Sequence, residues 1–276
     1  MTGSPSSSHP LHGRRAVVTG AGRGLGHTIS LSLAQAGAHV FTMSRDASQL
    51  ADLADEIRHA DGTCTPVSAD IRDPHDVKRA RDAVIAEAGG ADIVVNNAGN
   101  NIKSAVIPLP ASEGSPAGQP GSRPPSQPLA DEEWDSILDT HVRGSLALIR
   151  AFVPGMIERR QGRVINIGSS AVLRSPNLTV GYQVAKGTLD HLTRALAHEW
   201  AAYGVTVNSI APGHFRTSMT QALHDSPEGQ AWLRERIPMG RTGDARELGA
   251  LTVHLAGDLA SFITGQTIYV DGGETL

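Results

Sequence analysis

Tyr182 and Lys186 stand four residues apart in Tyr182-Gln183-Val184-Ala185-Lys186, and Ser169 lies thirteen residues before the tyrosine. On a helix, positions i and i+4 share a face, so the phenol and the ammonium can enter one site. A free tyrosine titrates near pH ~10, which leaves about one in a thousand ionised at pH 7. A cation held close favours the phenolate. A shift of roughly three units takes about 4 kcal/mol, within reach of one close charge in a semi-buried site. The spacing therefore predicts Tyr182 as an acid/base near neutral pH, with Ser169 hydrogen-bonding the substrate oxygen.

A second chemical feature is the turn Thr19-Gly20-Ala21-Gly22-Arg23-Gly24-Leu25-Gly26. Glycines between a strand and a helix let the backbone approach a pyrophosphate, and the helix end offers free N–H groups. The spacing G-x-x-x-G-x-G differs from the commoner G-x-G-x-x-G, and a glycine-rich turn alone is a weak signal. The end of the second strand decides the ribose. An acid there suits the 2′-hydroxyl of NAD, an arginine the 2′-phosphate of NADP. That end holds Ser44 and Arg45, and Arg23 adds a second cation, so NADP(H) is favoured over NAD(H). Asp46 is the alternative ribose acid if the register moves by one residue.

The elements that would position these groups alternate along the chain. Short β-branched runs read as strands at Ala16–Thr19, His39–Met43, Cys64–Val67, Ile93–Val95, Val164–Ile167, Val205–Ile210 and Thr267–Val270. Helical patterns run over Leu25–Ala36, Ser48–His59, a segment opened by Asp73-Pro74, Glu132–Arg160, Val180–Tyr203 and Asp244–Leu255. Such alternation predicts a doubly wound α/β fold of the Rossmann type, a three-layer sandwich with a seven-stranded parallel sheet. The pattern never restarts, so residues 12–276 read as a single dinucleotide-binding catalytic domain. Met1 to Leu11 reads as a frayed N-terminal tail. A Pro/Gly/Ser-rich insert at about 104–128 carries seven prolines between Ile107 and Pro128. It reads either as a mobile excursion or as a lid or subunit-contact loop.

Together these pieces resemble the short-chain dehydrogenase/reductase family, from Arg15 to Gly273. The matching landmarks are Thr19-Gly20-x-x-x-Gly24-x-Gly26, Asp70, Asn96-Asn97-Ala98-Gly99, Ser169, Tyr182-x-x-x-Lys186, Pro212-Gly213 and Asp271-Gly272-Gly273. The resemblance implies Tyr182 as acid/base and Ser169 as the group that orients the substrate oxygen, with Ser170 structural. It implies that Lys186 lowers the tyrosine pKa and binds the nicotinamide ribose. Leu25 in the glycine turn, Asp70 and its neighbour Ile71 would line the nucleotide. Asn97-Ala98-Gly99 would follow the ribose, and Pro212, Gly213, Phe215 and Thr217 would hold the carboxamide. One position departs from the family: His141 stands where a catalytic Asn is usual. It either relays protons to Lys186 or fills space.

The implied reaction is hydride transfer between a nicotinamide cofactor and a secondary alcohol or ketone. Within the family the segments Pro212–Thr220 and Trp232–Pro238 look most like gluconate 5-dehydrogenase-type sugar-acid dehydrogenases. Arg216, Arg234 and Arg236 are candidates to meet a carboxylate. The alternatives are a 3-oxoacyl thioester or steroid-type ketone reductase, or a cofactor-binding regulatory protein with vestigial catalysis. The family also implies a homo-oligomer, a tetramer or dimer.

The totals fit this reading. The 276 residues are 39% hydrophobic and 19% charged, with net charge −4, so no nucleic-acid or anionic-membrane partner is expected. No run of about 18 apolar residues suggests a membrane span. The N-terminus does not read as a signal peptide. The single Cys64 excludes an intrachain disulfide and fits a cytoplasmic location, with the thiol as a small buried hydrophobe. No histidine cluster has metal-ligand spacing, so no metal is expected.

Overall fold

Val17 and Val18 are both fully buried, yet they pack into different cores. Successive side chains of a strand point to opposite faces, so this strand is covered on both sides. The computed structural model describes residues 9–109, 123, 124, 126–217 and 220–276. The first half of the chain forms β1 Arg15–Thr19, α1 Gly24–Gln35, β2 His39–Ser44, α2 Ala47–His59, β3 Thr63–Ser68, α3 Pro74–Ala88 and β4 Ile93–Asn96. Next come α4 Asp131–Leu138, a π turn Asp139–Arg143, α5 Gly144–Glu158, β5 Gly162–Ile167, α6 Ala171–Arg174 and α7 Val180–Trp200. The last part is β6 Val205–Pro212, α8 Gln221–Asp225, α9 Pro227–Arg236, α10 Ala245–Ala256 and β7 Thr267–Val270.

The seven strands form one parallel sheet in the order β3-β2-β1-β4-β5-β6-β7. One face carries α1, α2 and α10, whose Ile29, Leu33, Leu50, Leu53 and Leu248 pack with Val18, Val40 and Ile210. The other carries α3 and α5, whose Val77, Val84, Leu148, Phe152 and Met156 pack with Val17, Val94 and Val207. Burying each such side chain stabilises the fold by roughly 1.5–3 kcal/mol. Pro66 lies in β3, an edge strand, where a missing N–H costs least. Cys64 beside it is partly buried, and burial pushes its thiol up.

Strand order reverses between β1 and β4, so their C-terminal ends flank a crevice. Both the glycine turn after β1 and the Asn97–Gly99 segment after β4 open into it.

Three expectations change. Leu11, read as part of a frayed tail, is 0% exposed and its N–H donates to the Ala36 carbonyl at 2.8 Å. The helix expected over Glu132–Arg160 is broken by the π turn around His141. Sequence periodicity carries through that turn, because one extra residue in a helical turn leaves both flanking helices amphipathic. Helices α6, α8 and α9 were not expected, being too short for periodicity to declare them. Of the insert, residues 110–122 and 125 lie outside the described residues. Its two ends are joined: Arg123 N donates to Lys103 O at 3.0 Å, and Leu129 N to Ala105 O at 2.7 Å.

Candidate active site

Helix α7 carries Tyr182, Lys186 and Asp190 at successive i, i+4 steps along one face. Lys186 is only 3% exposed. Its Nζ donates to the Ile167 carbonyl at 2.6 Å and lies 5.6 Å from the centre of the Tyr182 ring. Ser169 follows β5, and its Oγ accepts from the Ala171 N–H at 3.1 Å. The phenol, the ammonium and the serine therefore converge at the C-terminal edge of the sheet. Ser170 is fully buried and accepts from Arg174, a structural role as expected.

The electrostatics differ from the sequence reading. Burial pushes the Tyr182 phenol up, and hydrogen bonding by Ser169 and the Arg174 charge only oppose it. Burial likewise brings Lys186 down to about 8, against the pull of Asp190. Lys186 is near the phenol, but desolvation outweighs a charge that spends one N–H on a backbone carbonyl. As built, Tyr182 is a protonated phenol at neutral pH, poised as an acid.

His141 is 1% exposed and meets the Tyr182 ring edge-on, with centroids 5.4 Å apart. Its Nε2 lies 2.8 Å from the Asn100 carbonyl and 3.2 Å from the Asn100 N–H, while Nδ1 has no partner. Burial and the Lys186 charge push it down to about 3, so the ring is neutral. A β-carbon on Gly99 would sit 2.3 Å from His141 Cε1, so the ring fills the space that glycine leaves.

The crevice fits a dinucleotide. A β-carbon on Gly20 (φ +62°) would lie 2.8 Å from Ala98 Cα, and one on Gly26 2.3 Å from the Gly20 carbonyl oxygen. Asn97 Nδ2 donates to the Thr19 and Gly20 carbonyls at 2.9 and 3.2 Å, bracing the turn. Helix α1 starts after Arg23 with no side-chain cap and no acid in its first turn, which leaves its N–H groups for an anion. Leu25 packs beside the core. Across the cleft, Thr217 side-chain carbons would be 3.7 Å from a β-carbon on Gly24.

Other nucleotide candidates divide. Ser44 Oγ would be 3.2 Å from a β-carbon on Gly22, beside the glycine turn, and Arg23 and Arg45 are exposed nearby. Asp46, the alternative ribose acid, caps α2 by accepting from Ser48 N at 3.0 Å and Gln49 N at 3.2 Å. Asp70 is paired with Arg72 at 2.6 Å, which holds its carboxyl below the usual range. Ile71 is buried against Gly144. Pro212 ends β6, and Gly213 N donates to Val270 O at 2.9 Å. Phe215 is core, its ring packed on Gly243, so its side chain does not line the cofactor crevice.

The arginines expected to meet a carboxylate do not gather. Arg216 pairs with Asp225 at 2.6 Å, Arg234 is exposed, and Arg236 lies over Trp232 at 4.7 Å. A second cation whose charge reaches Tyr182 is Arg174, five residues after Ser169, which no spacing in the sequence marks. Asp190 was also missed, although it extends the i, i+4 ladder by one step.

Residues 14–228 match the short chain dehydrogenase family. The chain belongs to that family. Short-chain dehydrogenases are oxidoreductases, and this one transfers hydride between a nicotinamide cofactor and a secondary alcohol or ketone. It is 34% identical over 275 residues to the gluconate 5-dehydrogenase of Gluconobacter oxydans, covering 98% of this chain and 99% of the relative. It is 33% identical over 263 residues to a 3-oxoacyl-[acyl-carrier-protein] reductase of Vibrio cholerae, covering 95% and 98%. Among solved structures, a gluconate 5-dehydrogenase from Burkholderia cenocepacia in complex with NADP and tartrate superposes with a TM-score of 0.82. Identity there is 32%, with 96% of each chain covered. Among the described residues, no helix of this short-chain dehydrogenase is long and apolar enough to cross a membrane.

Proposed function

We propose that this short-chain dehydrogenase uses NADP(H) and acts on a ketone of the sugar-acid class, with Ser169, Tyr182 and Lys186 as its catalytic residues. The observation that carries the reading is the meeting of these three side chains beside the glycine-lined crevice. When bound, the nicotinamide supplies or accepts the hydride. Ser169 and the Tyr182 phenol hydrogen-bond the carbonyl oxygen. Tyr182 gives its proton to that oxygen as negative charge grows there. Lys186, protonated below about pH 8, faces the phenolate that remains and offers its other N–H groups to the ribose. His141 positions rather than relays. Its Nε2 meets only the Asn100 backbone carbonyl and N–H, neither of which passes a proton on.

NADP(H) is supported by Arg23 in the glycine turn after β1, by Arg45 just past β2, and by the employment of Asp46 as a helix cap. A sugar-acid substrate is supported by the similarity to gluconate 5-dehydrogenase and by the polar groups that act on the phenol, Ser169 and Arg174. A cytoplasmic homo-oligomer fits the single cysteine and the fully exposed Phe262 and Leu259 before β7. Sedimentation velocity tests the assembly, and a purely monomeric species would remove it.

The deciding experiment is a panel of 5-keto-D-gluconate, other keto-sugar acids and acetoacetyl thioesters, each run with NADPH and NADH. NADPH-dependent turnover of the keto acids is expected. Preference for the thioesters would move the protein to its acyl-reductase relatives. Tyr182→Phe should keep NADPH binding within a few-fold and lose turnover by 10²–10⁴. Wild-type rates in that variant would reject the assignment.

A further inference from the structure

The side chain of Glu274, two residues from the end of the chain, is 2% exposed and faces two guanidinium groups and an imidazole. Its Oε1 accepts from Arg174 Nη1 at 2.7 Å and lies 3.3 Å from His214 Nε2 and 3.8 Å from Arg236 Nε. These partners come from three segments: α6, the segment after β6, and α9. Arg174 continues inward, donating from Nε and Nη2 to Ser170 Oγ at 3.2 and 3.1 Å. Ser170 N donates to Pro212 O at 2.9 Å, and Ser169 is its neighbour. On the outer side, Arg236 lies 4.7 Å over the Trp232 ring, which meets His214 edge-on at 5.4 Å.

We infer that Glu274 is a positioning residue for the substrate side of the site, tying α9 and the segment after β6 to the turn that carries Ser169. The inference rests on the reading of Ser169 and Tyr182 as catalytic. Arg174 is almost buried and its charge acts on Tyr182, so an anion must stand beside it to fix its place. Glu274 is that anion. It touches neither the glycine turn nor the end of β2, and it meets the segment after β6 only at the His214 side chain, so its loss weakens substrate binding more than cofactor binding.

The test compares Glu274→Gln, which keeps the shape and removes the charge, with the full-length wild type. Four quantities are measured: the KM and kcat for 5-keto-D-gluconate, the NADPH dissociation constant, and acrylamide quenching of the emission that disappears in Trp232→Phe. Expected are a tenfold or greater rise in KM, quenching of Trp232 at least doubled, and NADPH binding within twofold. Wild-type KM and quenching in Glu274→Gln would overturn the inference, and so would a loss of NADPH binding equal to the loss in KM. If Glu274→Gln does not fold, Arg236→Gln removes the exposed outer arm instead. A three- to tenfold rise in KM is expected there, and unchanged KM and quenching would overturn the inference. If the wild type does not turn over 5-keto-D-gluconate, the proposed substrate class fails, and the Trp232 quenching still decides the role of Glu274.

Discussion

At the scale of single residues, the site is governed by desolvation as much as by charge. Tyr182 and Lys186 share a helix face, yet burial moves the phenol up and the amine down. The ammonium survives near neutral pH with help from Asp190, itself 3% exposed and bonded to Ser209 Oγ at 3.1 Å. Burial raises the Asp190 carboxyl, and hydrogen bonding by Ser209, followed by the weaker charges of Arg194 and Lys186, opposes that rise. Activity that needs the Lys186 ammonium should therefore fall as pH rises through about 8. Asp190→Asn removes the one carboxylate that holds Lys186 up, so this limb should move to lower pH. A kcat/KM profile from pH 6 to 10 checks both, and an unshifted limb in the variant would refute the role of Asp190.

At the scale of elements, the decisive pieces are two turns. The glycine turn works because side chains there would collide with neighbours, not only because glycine is flexible. Gly20 has φ +62° and its missing β-carbon would stand 2.8 Å from Ala98 Cα. Gly20→Ala should strain that conformation and push the β4 segment away from the crevice. The expected result is a tenfold or greater loss of NADPH affinity, about 1.4 kcal/mol or more. Fluorescence titration of NADPH measures it, and unchanged affinity would contradict the proposed seat of the cofactor. The π turn at Asp139–Arg143 is the other piece, since it lets His141 reach both the Asn100 backbone and the Tyr182 ring.

At the scale of the whole molecule, a buried neutral histidine couples the fold to pH. The unfolded chain protonates His141 near 6.5, whereas the folded chain resists down to about 3. Below pH 6.5 the unfolded state binds the extra proton, so stability falls as pH drops toward 3. The full gap is worth up to roughly 5 kcal/mol, and about 2–3 kcal/mol of it is felt at pH 4.5. His141→Asn should lose that part of the acid sensitivity. Urea unfolding at pH 7 and pH 4.5 compares the two proteins, and equal drops would show that other groups dominate.

The sequence alone determined the alternation of strands and helices, the sheet it builds, and the residues able to do chemistry. Those signals are local: β-branched runs, a strand-turn-helix glycine pattern, and a phenol and amine one helical turn apart. It also marked His141 as unusual, because a single position sufficed. Tertiary structure decided what no local pattern encodes. It turned Asp46 into a helix cap, buried Phe215 and Leu11, broke the long helix at His141, and set Glu274 against Arg174, His214 and Arg236 from three distant segments. It also reversed the expected direction for Tyr182. Spacing shows which charges stand near a group, but the desolvation of that group depends on everything packed around it.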